Sequence, residues 1–183
     1  MIDEKKLKEE LKNLSEDSIV LVETSAEKSF ETSMASIKIL EDKYDNGIIL
    51  SVSRPYANLI SNYKKNGIDT KKMFIIDCIS KKQYDDMEID NVMFLESASA
   101  LTDISISLGE CMQMTEGKKF VLIDSINTML IDNKPHIFAR FIHGILTKMR
   151  LNKVGGLLIS LDDKTNEEVK AEIAQLCDKI IKI

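Results

Sequence analysis

Short apolar runs alternate along the chain with longer segments in which apolar residues recur every three or four positions. The short runs predict strands buried on both faces, because such strands need no polar side. The longer segments predict helices with one apolar face. The predicted strands cover 19–22, 48–53, 73–77, 92–95, 120–123, 157–161 and 179–183. The predicted helices cover 3–14, 29–44, 55–65, 102–114 (with Ser99 as an alternative cap), 135–151 and a segment after Asn166.

Regular alternation of strands and helices favours right-handed crossovers, and therefore a mainly parallel sheet with helices on both faces. We predict an α/β, three-layer sandwich that forms one domain over residues 1–183, with an N-terminal helix at 1–14. The polar stretch 80–91 is the candidate for a mobile insert. Two glycine-containing pairs indicate breaks between elements. Asn46-Gly47 ends the second helix, and Gly155-Gly156 precedes a strand.

Composition and net charge argue against some classes of binding partner and location. The net charge of -5 gives no general attraction to nucleic acid or to an anionic membrane. No apolar run approaches the roughly 20 residues of a membrane span, and the charged N-terminus lacks the apolar core of a signal peptide. We therefore expect a cytoplasmic protein. The three cysteines are far apart and are expected to be buried, reduced thiols.

The segment 119–130, KFVLIDSINTML, is the centre of the pattern. Its apolar run ends on Asp124-Ser125, which places an acid at the carboxyl end of a strand, where open α/β sheets bind ligands. Earlier in the chain, a strand, a loop containing Lys28-Ser29 and a helix follow one another in the order of a P-loop unit. This order of elements resembles the RecA/KaiC-like P-loop ATPase superfamily in its single-domain archaeal form.

The resemblance implies ATP and Mg²⁺ as ligands. It assigns Lys28 and Ser29 to nucleotide binding, and Asp124 to Mg²⁺ together with Ser29. The Walker A pattern GxxxxGK[ST] falls on residues 22–29, where both glycine positions are occupied, one by Val22 and one by Glu27. A side chain resists the positive φ that a phosphate cradle uses, so this Walker A motif is degenerate. A loop that is one residue shorter, in which Lys28 is not the Walker lysine, is the alternative.

A second departure concerns the base that activates water. KaiC-like proteins carry an acidic pair after the second strand, but here the predicted strand 48–53 is followed by Arg54 and a proline, and the nearby Ser51, Ser53 and Arg54 include no carboxylate. We therefore assign a vestigial nucleotide site to Glu23, Glu27, Lys28, Ser29, Ser53 and Arg54.

Three functions follow from this reading. The first is a non-hydrolysing regulatory or scaffold domain of the signal-transduction type, with a protein partner or a homo-oligomer. The second is a weak ATP-binding protein or ATPase that uses Lys28, Ser29 and Asp124. The third is a module that binds another anion near Arg54; nucleic acid is not expected.

Structural roles are the alternative for each of these residues. Lys28-Ser29 can simply begin a helix, and Asp124 can form a turn. Asp77 is expected to accept hydrogen bonds at a loop entry. His136 and His143 lack partners at metal-binding spacing and are expected at the surface.

Overall fold

Seven strands form one parallel sheet in the computed structural model, which describes residues 1–85 and 87–183. The strands are β1 (Ile19–Thr24), β2 (Asn46–Ser51), β3 (Met73–Asp77), β4 (Val92–Phe94), β5 (Lys119–Asp124), β6 (Gly155–Leu161) and β7 (Lys179–Lys182). Their order across the sheet is β4-β3-β2-β5-β6-β1-β7, which makes β5 the central strand.

Helices cover both faces of this sheet. They are α1 (Glu4–Lys12), α2 (Ser29–Leu40), α3 (Tyr56–Lys65), α4 (Leu101–Met114), α5 (Ile126–Asp132), α6 (Pro135–Leu151) and α7 (Glu167–Gln175), with short 3-10 turns at Thr70–Lys72 and Lys81–Gln83. Buried side chains of α1, α2 and α3 form one core cluster, and those of α4 to α7 form the other. The predicted three-layer α/β sandwich is therefore confirmed.

The central strand β5 is buried on both faces, as its unbroken apolar run predicts. Phe120 and Leu122 belong to the core under α1, α2 and α3. Val121 and Ile123 belong to the opposite core, and all four side chains are at most 2 % exposed. By the same alternation, the side chain of Asp124 lies on the side of α2 and α3.

The N-terminal helix packs on its own domain. The Asp3 carboxylate caps it by accepting a hydrogen bond from the Lys6 backbone N–H at 3.0 Å. Leu7 and Leu11 are 0 % and 2 % exposed and join the core beside α2. The Lys6 ammonium also donates to the Lys182 carbonyl at 2.7 Å, so α1 partly covers the edge strand β7.

Two predicted turns prove to be strand residues. Asn46-Gly47 opens β2, and Gly155-Gly156 opens β6, whereas α2 already ends at Leu40. A Cβ on Gly47 would lie 2.5 Å from Cζ of Phe120, so this glycine lets a strand pass close to a ring. Strand β2 therefore begins two residues before the predicted strand 48–53, and it ends at Ser51.

Helix α5 was not predicted, because seven residues are too few to show a helical period. Ser125 begins it, and its hydroxyl accepts a hydrogen bond from the Thr128 N–H at 3.3 Å. The predicted mobile insert 80–91 includes Asp86, which lies outside the described residues, and its mobility stays a prediction. Within it, the ring of Tyr84 stacks on Phe94 with centroids 4.7 Å apart. No helix in the described residues combines the length and apolarity that a membrane span requires.

Candidate functional site

The candidate site lies at the carboxyl edge of the sheet, where β1, β2 and β5 end. Parallel strands bring their last residues to the same edge. Ser51, at the end of β2, is in register with Asp124 at the end of β5. The chain then continues from β2 through Val52, whose N–H donates to the Asp124 carbonyl at 3.5 Å. The loop after β2 is therefore fixed beside Asp124.

Asp124 is a buried carboxylate with a side chain directed toward α2. The residue is 8 % exposed, and its peptide bond to Ser125 is cis. Burial raises the pKa of this carboxyl, while the Ser33 hydroxyl and the positive charge of Arg54 act in the opposite direction. The structure thus brings together two of the predicted site residues, Asp124 and Arg54. It adds Ser33, which the sequence did not single out.

Arg54 is held over the start of α2. Its guanidinium carbon lies 3.9 Å from the centroid of the Phe30 ring, which is the geometry of a cation–π contact. Its backbone carbonyl accepts a hydrogen bond from the Ser51 hydroxyl at 2.6 Å. Phe30 and Ser33 are three positions apart and share one face of α2. One face of the helix therefore contacts Arg54 and approaches Asp124.

The loop that corresponds to a P-loop is short. Strand β1 continues to Thr24 and α2 begins at Ser29, so four residues, 25–28, connect them. The Thr24 and Thr32 hydroxyls share a hydrogen bond of 3.1 Å, which ties the end of β1 to the second turn of α2. In this loop the Lys28 N–H is already donated to the Ser25 carbonyl at 3.1 Å.

Backbone conformation in this loop also differs from a phosphate-binding nest, which alternates right- and left-handed residues. In the described part of the chain, positive φ occurs at Asn91, Lys153, Asn166, Gly67 and Gly117. None of these residues lies in 25–28. Lys28 itself is in the right-handed helical region, with φ -96° and ψ -9°.

The predicted strand 19–22 was too short, because β1 continues through Glu23 and Thr24. Glu23 and Thr24 are paired with Ser160 and Leu161 of β6. The Glu23 carboxylate forms an ion pair of 3.0 Å with Lys182 on β7, which neutralises it within the sheet edge. Lys28 and Ser29 stand at the start of α2 as expected, while Glu27 and Ser53 are exposed.

A polar network next to Asp124 was missed by the sequence reasoning. The Asn127 side-chain carbonyl accepts a hydrogen bond from the Leu161 N–H at 2.8 Å. Its amide donates to the Asp163 carboxylate at 2.7 Å. Asn127 therefore bridges the ends of β5 and β6. The available signal was a lone amide within the apolar segment 126–131.

Asp163 completes this network. Burial alone would raise its pKa, but hydrogen bonds from the Thr165 hydroxyl, Lys170, the Thr165 N–H and Asn127 together lower it to about 2. The Lys170 ammonium lies 3.0 Å from the carboxylate. Asp163 is therefore ionised at neutral pH and accepts hydrogen bonds from both sides.

Asp77 has the structural role that was expected of it. The residue is 0 % exposed, and its carboxylate accepts hydrogen bonds from the backbone N–H groups of Tyr56 at 2.7 Å, Ile79 at 2.6 Å and Ser80 at 2.9 Å. It orders the loop after β3 and the first turn of α3, and all these donors are internal.

Histidines and cysteines lie outside the site. His136 and His143 are exposed on α6, as predicted. Cys78 and Cys111 are free and buried, whereas Cys177 is only half-buried, which corrects the prediction of three buried thiols. Burial raises the pKa of each thiol to about 12, so these cysteines are poor nucleophiles.

One comparison with known proteins gives a match. The family model described as "ATPase: KaiC" matches residues 32–183, well over half of the chain. The matched region begins after the loop 25–28 and includes all of β2 to β7. None of the curated proteins compared with the chain matches it.

Proposed function

The chain belongs to the KaiC ATPase family, and we propose that it is a member that does not hydrolyse nucleotide and serves as a regulatory or scaffold domain of the signal-transduction type. The proposal also includes a cytoplasmic location and a protein partner or second copy of the chain, since a scaffold acts through what it binds.

The loop between β1 and α2 is the observation that carries this proposal. A P-loop binds phosphates by curling its backbone closely around them and aiming several N–H groups inward. Here the loop has four residues, contains no glycine and has no left-handed residue, and the Lys28 N–H is already donated within it. Such a loop offers too few free, convergent donors for a polyphosphate.

The end of β2 gives independent support. Hydrolysis requires a group that orients or deprotonates the attacking water. At this position the chain has Ser51, Ser53 and Arg54, and the Ser51 hydroxyl is committed to the Arg54 carbonyl. A guanidinium cannot accept a proton at neutral pH, so the end of β2 supplies no base.

The fit to ATP and Mg²⁺, which the family usually binds, is poor at Asp124. Magnesium keeps several waters and needs room around its one or two protein ligands. The Asp124 residue is only 8 % exposed and is directed toward Ser33, one turn beyond Ser29 on α2. We therefore assign no catalytic step to a metal at this position.

Isothermal titration calorimetry with ATP and Mg²⁺ tests the proposal. We expect no binding tighter than about 1 mM, which corresponds to roughly -4 kcal/mol. Phosphate release should equal the buffer rate and should not change in Lys28→Ala or Asp124→Asn. A micromolar dissociation constant, or phosphate release that both substitutions abolish, would refute it.

The second candidate, a weak ATPase, has one observation in its favour. Lys28 and Ser29 stand at the start of the 12-residue helix α2, and no side chain caps that end. A helix N-terminus attracts phosphate through its free N–H groups. The two substitutions above separate this candidate from the first, because only a working site depends on them.

Assembly can be measured directly. Light scattering coupled to size-exclusion chromatography gives the mass of the particle in solution. A mass of 20.7 kDa would correspond to a monomer and would direct the search toward a different protein partner. A multiple of that mass would favour the homo-oligomer.

A further inference from the structure

We propose that Arg54 is a built-in counter-cation for Asp124 and takes the place that a bound metal ion has in metal-dependent relatives. The inference rests on the proposed function, since it explains how a family member without a metal keeps its buried acid at the centre of the sheet.

The backbone brings the two residues to the same place. Asp124 ends β5, and its carbonyl accepts the Val52 N–H at 3.5 Å. Arg54 follows two residues later, and its own carbonyl is fixed by the Ser51 hydroxyl at 2.6 Å. Two hydrogen bonds therefore define the path of the chain from β2 past the end of β5.

Helix α2 then fixes the direction of the Arg54 side chain. The guanidinium carbon lies over the Phe30 ring, 3.9 Å from its centroid. The Ser33 hydroxyl, on the same face of α2, acts on Asp124. A guanidinium held at Phe30 and a carboxylate held at Ser33 are thus neighbours on one helix surface.

Burial raises the pKa of Asp124, and a nearby positive charge offsets part of the cost of ionising it. A carboxylate that is 8 % exposed is costly to keep ionised unless a positive charge is close. Of the two groups that favour its ionised form, Ser33 is neutral and Arg54 is charged. The buried hydroxyl of Tyr63, on α3, is neutral and supplies no positive charge.

Arg54 forms no direct ion pair with Asp124 in the part of the chain that the structure describes. In the described residues, no Arg54 nitrogen lies within the 4.0 Å of an Asp124 oxygen that defines an ion pair. The contact with Phe30 therefore matters, because stacking keeps the guanidinium in place without a direct bond to the acid.

A double-mutant cycle with Mg²⁺ titration tests the proposal, with thermal unfolding of the full chain as the readout. We expect Arg54→Ala to lower the Tm by roughly 5 °C, because it leaves a buried charge unpaired. Asp124→Asn in that background should restore most of the loss. Millimolar MgCl₂ should raise the Tm of Arg54→Ala only, with KCl at equal ionic strength as the control.

Additive effects of Arg54→Ala and Asp124→Asn would overturn the proposal, as would a Mg²⁺-induced rise of the wild-type Tm equal to that of Arg54→Ala. Should Arg54→Ala not fold, Phe30→Leu replaces it: it removes the stacking surface and should produce a smaller loss that Asp124→Asn again suppresses. Arg54→Lys keeps the charge and should lie between wild type and alanine.

The non-hydrolysing function and the counter-cation role of Arg54 can be refuted independently. Micromolar binding of ATP by the wild-type chain would refute the non-hydrolysing assignment, whatever the cycle shows. Absence of coupling between Arg54 and Asp124, in a chain that binds no nucleotide, would refute only the counter-cation.

Discussion

Asn127 offers the sharpest test of how the site edge is held, through the substitution Asn127→Asp. The change is isosteric, and the remaining side-chain oxygen can still accept the Leu161 N–H at 2.8 Å. In the wild type, the Asn127 amide nitrogen donates to the Asp163 carboxylate at 2.7 Å. The substitution puts a carboxylate oxygen in the place of that nitrogen. The substitution inverts this contact and the longer hydrogen bond of 3.5 Å from the same amide to the Leu161 carbonyl, so the perturbation is local.

The expected magnitude follows from that contact. A hydrogen bond to a charged group contributes about 1.5–3 kcal/mol. We take the lower end, because the Asp163 side chain is 38 % exposed and solvent screens it, and we add a small repulsion between carboxylates. The free energy of unfolding should fall by about 2 kcal/mol at neutral pH, which lowers the Tm by roughly 4–8 °C.

The pH dependence gives a second readout. In wild type, the pKa of Asp163 is lowered to about 2, so its stabilising contribution is present above the unfolded value near 4 and is lost as pH falls through about 2. In Asn127→Asp the facing carboxylates raise each other's pKa in the folded state. Protonation then relieves the repulsion, so the deficit should shrink as the pH falls from 7 toward 4.

Urea denaturation followed by circular dichroism at pH 7 and at pH 4 measures both effects. Asn152→Asp is the matched control, because the Asn152 amide donates to the Lys148 carbonyl at 2.8 Å on an exposed helix end. The control should cost less than about 1 kcal/mol at neutral pH. Wild-type stability in Asn127→Asp at pH 7, or a deficit that is the same at both pH values, would refute the reasoning.

Three further substitutions test the packing around the site by the same denaturation assay. Leu7→Ala should cost about 2–3 kcal/mol, because a fully buried side chain is truncated in a helix that can detach; a cost below about 0.5 kcal/mol would show that α1 does not dock. Tyr63→Phe should be neutral or stabilise by up to about 1 kcal/mol, because the buried hydroxyl has no hydrogen-bond partner among residues 1–85 and 87–183; a clear loss would reveal one. Asp77→Ala should cost about 3 kcal/mol, since it leaves the N–H groups that Asp77 binds without acceptors; wild-type stability would contradict its structural role.

Strands and helices with an uninterrupted pattern could be predicted well. The run 120–123 indicated a strand buried on both faces, and β5 is the central strand. Element boundaries that depend on contact with a distant segment could not be predicted. Gly47 was interpreted as the end of a helix. Its structural role is to leave room for the ring of Phe120, which belongs to a strand more than 70 positions later.

Some residues of the candidate site could be predicted from the sequence, and others could not. The positions of Asp124 and Arg54 after strands are visible in one sequence, and the family resemblance indicated Lys28 and Ser29. Asn127 and Asp163 are separated by 36 positions, and their hydrogen bond forms only once β5 and β6 are adjacent. Phe30 likewise became a site residue only when the loop after β2 brought Arg54 onto it.

The sequence by itself determined the fold class, the central strand and the absence of glycine from residues 22–29, because periodicity and residue type are local properties. The tertiary structure decided how long the loop is and where each charge lies. Pairing of β1 with β6 and β7 drew Glu23 into the sheet beside Lys182 and left four residues for the loop. Packing of α2 against the ends of β2 and β5 placed Arg54, Phe30, Ser33 and Asp124 together. Such contacts depend on backbone pairing between distant segments, which no local pattern records.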